Sequence, residues 1–199
     1  DMDEIYAIAQ EYDIKVLDDA GKSIGLSYND VKIGSDGRSL ISCFNIYSQL
    51  TNPIATAGFM LTNDDAVAER AKLLRNHAII KGGIDKDGNL GYIYDVIDIG
   101  VKYDLTGLCA AYAVAQFEKT DKFIARRQEI AAAYDKELAD CPHVSLPIKK
   151  RDHVYIQYII KIDKNRDGFA KELLERGIHT ALHYKPMHLL SYYKSKYGL

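Results

Sequence analysis

Leu17-Asp18-Asp19-Ala20-Gly21-Lys22-Ser23-Ile24-Gly25 decides the fold. The apolar run Ile14 to Leu17 before it reads as a buried strand that ends in two carboxylates. Small residues and glycines follow at once, so the chain must turn sharply there. In α/β folds, ligand sites gather outside the carboxyl ends of the strands. A carboxylate in that place suits a protonated ring nitrogen. It also suits a solvated strand end that caps a helix, a common arrangement in its own right.

Upstream, Met2, Ile5, Ile8 and Ala9 recur at helical spacing over residues 1–12, with acids in the first turn. Downstream, Tyr28-Asn29-Asp30 to Gly34-Ser35-Asp36-Gly37 is a turn-rich, hairpin-like excursion. Leu40 to Ile46 and Gly58 to Thr62 read as core strands, and Thr62-Asn63-Asp64 offers caps for a helix through Leu74. Residues 80–98 are polar and glycine-rich and read as a long surface loop. Residues 105–140 are helical with a break near Thr120-Asp121, and Cys141-Pro142 ends them. Beyond Pro147, His153 to Ile162 reads as β-rich, Phe169 to Arg176 as a helix closed by Gly177, and Ile178 to Tyr184 as a strand. The expected fold class is therefore α/β. A partial large α/β domain with long connecting helices spans 1–140, and a partial small α+β C-terminal domain spans 141–199. The chain opens inside a helix pattern and stops at Tyr197-Gly198-Leu199 without a finished element, so both ends read as cut.

Bulk properties exclude several classes. The net charge of −2 gives no basic field for nucleic acid. No run of about 18 apolar residues is present for a membrane span, and no signal peptide is recognisable. Cys43, Cys109 and Cys141 share no metal-like spacing and make no disulfide framework, which fits a reducing cytoplasm. His179 and His183 lie four apart, but on a strand that separation is about 13 Å, so a zinc pair is not expected. Asp163 to Gly168 imitates a calcium loop, yet Leu174 stands where the bidentate Glu belongs. No GxxxxGK[ST], GxGxxG or GxSxG motif occurs. Arg126-Arg127 with Lys119 and Lys122 reads as a solvated helix face.

Taken in order, these segments resemble the DegT/StrS-type family of nucleotide-sugar aminotransferases, which depend on pyridoxal 5′-phosphate. The matching segments are Asp18-Asp19-Ala20 through Gly25, Gly34-Ser35, Thr62-Asn63-Asp64, Leu74-Arg75-Asn76-His77, and Tyr103 with Leu105, Thr106 and Ala110-Ala111. Phe123 to Arg127, Arg176-Gly177-Ile178, His183-Tyr184, His188 and Tyr192-Tyr193 complete the likeness. The resemblance implies the aspartate-aminotransferase-like fold and amino transfer from an amino acid such as glutamate to a nucleotide-linked keto-sugar. That chemistry belongs to polysaccharide or antibiotic-sugar biosynthesis. A homodimer is implied as well. By position, Asp19 would face the pyridine nitrogen, Lys22 would stand near the ring's phenolic oxygen, and Asn45 would take the place of a phosphate-binding serine. His183 and Tyr184 would lie on the substrate side.

The departures bear on activity. Leu50 occupies the position of the lysine that condenses with the cofactor, and no lysine lies between Lys32 and Lys72. An alkyl side chain has no nucleophile, so covalent anchoring and the general base disappear together. Two expectations follow: a sugar aminotransferase in which another group, such as Lys22, substitutes, or a degenerate member that binds nucleotide-sugar or partners a second subunit. For Lys22 the plainer expectation is a salt bridge to Asp18 or Asp36.

Overall fold

The computed structural model describes residues 1–46, 56–81 and 94–198. In chain order the first elements are helix α1 (Met2–Glu11) and strands β1 (Leu17–Asp19), β2 (Ser27–Tyr28), β3 (Val31–Lys32), β4 (Ile41–Asn45) and β5 (Gly58–Leu61). They are followed by α2 (Asp65–Leu74), β6 (Ile79–Lys81), β7 (Tyr94–Val96), α3 (Gly107–Phe117) and α4 (Thr120–Leu138). The remainder is β8 (Val144–Ser145), β9 (Lys161–Ile162), α5 (Arg166–Glu175) and α6 (Ser191–Tyr197). Two compact units emerge, one of Asp1–Lys136 with Ile148–Tyr158, the other of Glu137–Pro147 with Ile159–Leu199.

In the first unit β1 pairs with β4 in parallel, Leu17 opposite Ile41 and Asp19 opposite Cys43. Strand β5 then pairs antiparallel with β4, Asn45 opposite Gly58. Side chains alternate across a strand, so Ser42 and Phe44 turn inward while Cys43 and Asn45 are exposed. Phe44 joins Ala20 and Ile24 in the core, with Ile33 and Phe59 against them. Its ring stacks on Phe59 at 4.9 Å, and Phe59 meets Phe117 of α3 edge-on at 5.5 Å. The strand expected from Ile14 begins only at Leu17. Ile14 and Leu17 are 60% and 64% exposed, because β1 has a single partner strand among the described residues.

Local signals explain the turns and caps. Asn29 and Asp30 both take positive φ, +48 and +65, between β2 and β3. That is the two-residue hairpin turn whose twist matches the strands, and Asn and Asp tolerate it best after Gly. Asp64 caps α2 by accepting from Val67 N–H at 3.0 Å, and Thr106 caps α3 through Cys109 N–H at 3.3 Å. Arg38 holds both Asp3 of α1 and Asp36, at 2.6 and 2.5 Å. Its hydrogen bonds keep both carboxyls below the usual range.

Three further expectations need correction. The stretch read as a loop over 80–98 contains paired strands at its ends, β6 and β7, with Ile79 opposite Val96. Glycine and aspartate concealed them, because strand formation there comes from cross-strand pairing rather than composition. Only Lys161–Ile162 of the β-rich 153–162 stretch is a strand, paired with β8. Tyr155 there has φ +46, incompatible with a continuous strand. Residues 178–184 form no strand; the second unit instead ends in α6, closed by Gly198 at φ +64.

Phe44 is 6% exposed and lies at the centre of this packing. Phe44→Ala should cost about 3 kcal/mol or more in urea denaturation. A loss under about 1 kcal/mol would show that the β1–β4–β5 face is not the principal core.

Candidate functional site

Parallel pairing places the carboxyl ends of β1 and β4 side by side. Asp19, exposed, thus stands beside Cys43 on the outer face, with Asn45 two residues on along the same face. The chain is held there by the Ala20 N–H, which donates to the Cys43 carbonyl at 2.8 Å. The Gly21 N–H then donates to Asp19 Oδ1 at 3.3 Å. No protein hydrogen bond to Asp19 Oδ2 occurs among the described residues, so that oxygen remains available to a ligand.

Gly21 is the cradle of the site. A Cβ added there would lie 2.4 Å from Asn45 Nδ2 and 3.3 Å from Asp19 Oδ1. Asp19 and Asn45 therefore approach one another over a residue that has no side chain. Gly25 closes the same loop at φ +81, where a Cβ would meet Ile124 Cδ1 of α4 at 2.7 Å. Between them, Lys22 is exposed in a turn closed by the Ser23 N–H to the Ala20 carbonyl at 2.9 Å. The expected salt bridge of Lys22 to Asp18 or Asp36 does not form among the described residues, since Asp36 is taken by Arg38.

Asp18 points the other way, toward the face of buried Ser42, and lines a cavity of about 150 Å³ with Ser23, Tyr28 and Ser42. Burial raises its carboxyl above the ordinary value, and the neighbouring Asp19 adds to the shift. The two adjacent acids thus differ in environment: one is solvated at the sheet edge, the other is partly desolvated behind it.

His183 and Tyr184 lie in the second unit, with ring centroids 4.4 Å apart and Tyr184 73% exposed. Leu50 lies outside the described residues. Sequence reasoning missed Cys43 and Gly21 as parts of the site. The parity of Cys43 and Asn45 along β4 was the signal for the first, once the register with Asp19 is known.

Asp19, Gly21 and Asn45 fit one edge of a planar, anionic pyridine cofactor: a carboxylate oxygen for the ring nitrogen, an amide donor nearby and no side chain in between. The model of the DegT/DnrJ/EryC1/StrS aminotransferase family matches residues 1–199. The chain belongs to that family. An uncharacterized protein of Methanocaldococcus jannaschii is 31% identical over 207 residues, which cover 100% of this chain and 53% of that protein. S. venezuelae DesV superposes with TM-score 0.81 at 28% identity, over 98% of this chain and 50% of DesV. PseC of Helicobacter pylori, an aminotransferase involved in the biosynthesis of pseudoaminic acid, shares the fold at TM-score 0.80 and 24% identity, over 99% of this chain and 52% of PseC. The chain spans about half the length of these relatives. The fold is α/β, that of the fold-type I enzymes, and aminotransferases of this family depend on pyridoxal phosphate. No helix among the described residues is long and apolar enough to cross a membrane.

The raised Asp18 carboxyl fixes the sign of a pH effect. The folded chain binds this proton more tightly than the unfolded chain does, so the stability that Asp18 contributes is full below the ordinary value of 3.8 and is lost as pH rises through the raised one. Relative to the parent, Asp18→Asn should therefore be more stable near about pH 7 than near about pH 3 in urea titrations. An identical difference at both pH values would show that Asp18 does not titrate with folding.

Proposed function

We propose that this protein docks pyridoxal phosphate and a nucleotide-linked keto-sugar in a site of the sugar-aminotransferase type. Amino transfer from a donor such as glutamate would be lost for want of a lysine at position 50. The observation that carries this is the exposed Asp19 carboxylate at the end of a parallel strand, next to Asn45 across Gly21. Family membership supports the aminotransferase-type site, and Leu50 in the sequence is what argues against transfer.

When bound, the cofactor supplies an electron sink through its protonated ring. Asp19 would hold that ring nitrogen in its protonated form by accepting from it, a charge-assisted bond. Asn45 would lie on the phosphate side, and Lys22 would bring a cation to the same rim. By family likeness, His183 and Tyr184 of the second unit are the candidates for contact with a sugar substrate. Leu50 offers neither nucleophile nor base, so a proton cannot be carried between donor carbon and cofactor by that residue. The protein acts as a cytoplasmic homodimer, or as the partner of an active homologue, and its net charge of −2 gives nucleic acid no foothold. An active enzyme of polysaccharide or antibiotic-sugar biosynthesis is the second reading, favoured by the retention of Asp19 in a family-like setting.

Pyridoxamine phosphate, which has no aldehyde, measures docking alone. In calorimetric titration it should bind the parent and lose about tenfold or more in affinity with Asp19→Asn. Glutamate-dependent transfer should be absent in the parent and gained in Leu50→Lys. Parent turnover would favour the second reading, and an affinity indifferent to Asp19→Asn would remove the docking proposal.

A further inference from the structure

The turn after Asp19 presents an amine in a defined place. Its backbone is pinned at the start by the Ala20 N–H bond to Cys43 and closed by the Ser23 N–H bond to Ala20. It is pinned at the end by buried Ile24 and by Gly25 against Ile124. Only the four-carbon stem of Lys22 is left to move. Lys32 donates to the Gly25 carbonyl at 2.7 Å, Lys72 pairs with Glu69 at 2.7 Å and Lys102 pairs with Asp104, so what sets Lys22 apart is its place on the turn beside Asp19. Lys22 has no ion pair and no side-chain hydrogen bond among the described residues. It is three residues from the Asp19 carboxylate, on the loop whose glycine lies against Asn45.

We propose that Lys22 condenses reversibly with the aldehyde of pyridoxal phosphate docked against Asp19 and Asn45, and so retains the cofactor covalently without a lysine at position 50. This rests on the docking proposed above. The unprotonated Nζ of Lys22 adds to the aldehyde carbon, a carbon–nitrogen double bond replaces the carbonyl, and the carbonyl oxygen leaves as water. Nothing is oxidised or reduced. Docking raises the local concentration of aldehyde at this one amine, which separates it from equally exposed lysines elsewhere. Its role is retention; no transfer of a proton to or from a substrate carbon is assigned to it.

The test is borohydride reduction of the full chain with pyridoxal phosphate, followed by peptide mass spectrometry, alongside calorimetry with pyridoxamine phosphate. Reduced adduct should concentrate at Lys22, about tenfold above exposed Lys15 or Lys171, and should fall to that background in Asp19→Asn. Lys22→Arg should abolish the selective label yet still bind pyridoxamine phosphate, since it keeps the cation and loses the condensing amine. Even labelling of the surface lysines, or selective labelling of another lysine, overturns the role of Lys22. If pyridoxamine phosphate still binds in an Asp19-dependent way, that failure leaves docking intact. If it does not bind and the label is even, docking and capture fall together.

Discussion

The parallel alignment of β1 with β4 is the constraint on which the rest depends. It is three residue pairs long, yet it decides which acid faces solvent and which faces the cavity. It also brings Asn45, 26 positions away in sequence, into the neighbourhood of Asp19 and Gly21. Parallel strands cannot be joined by a tight hairpin. The 20-odd residues between them hold the Gly25 turn and the β2–β3 hairpin, both packed against neighbouring elements. The core under this alignment is modest, an aromatic stack of Phe44 and Phe59 with small residues around it.

As proposed, the protein joins a family-like docking geometry to a sequence that lacks the usual condensing amine. In the docking proposed above, Asp19, Gly21 and Asn45 would receive a flat anionic ring, whereas Leu50, at the position the family likeness gives to the lysine, would deny that ring its usual attachment. Binding and bond-making are separable demands. The first needs shape and hydrogen-bond partners, the second a nucleophile with the right reach. A chain that meets the first and fails the second can keep a ligand specificity without a turnover number, unless a neighbouring amine supplies the missing bond.

Much of this was legible in the residues. The acids after Leu17 pointed to the turn that carries the candidate site, Asn29-Asp30 located a hairpin, and Asp64 and Thr106 located helix starts, because each acts through its own backbone within a few positions. What escaped depends on partners distant in sequence. Strands β6 and β7 exist by pairing across a polar, glycine-rich interval, which no local pattern reveals. Residues 153–160 carry the β-branched and aromatic composition of a strand but have none to pair with among the described residues, and Tyr155 turns left-handed instead. The place of Cys43 beside Asp19 likewise required the register, not the motif.

The opposite orientation of Asp18 and Asp19 has a consequence for inheritance. Side chains on a strand repeat every two residues, so a slip of β1 by one residue against β4 would exchange the two faces. The solvated acid would be forced into the cavity and the other into the cradle, with no change in the composition of the motif. Substitutions that loosen the register of β1 on β4 should therefore be purged more strictly than changes in the exposed connector between α1 and β1, which can absorb an added residue.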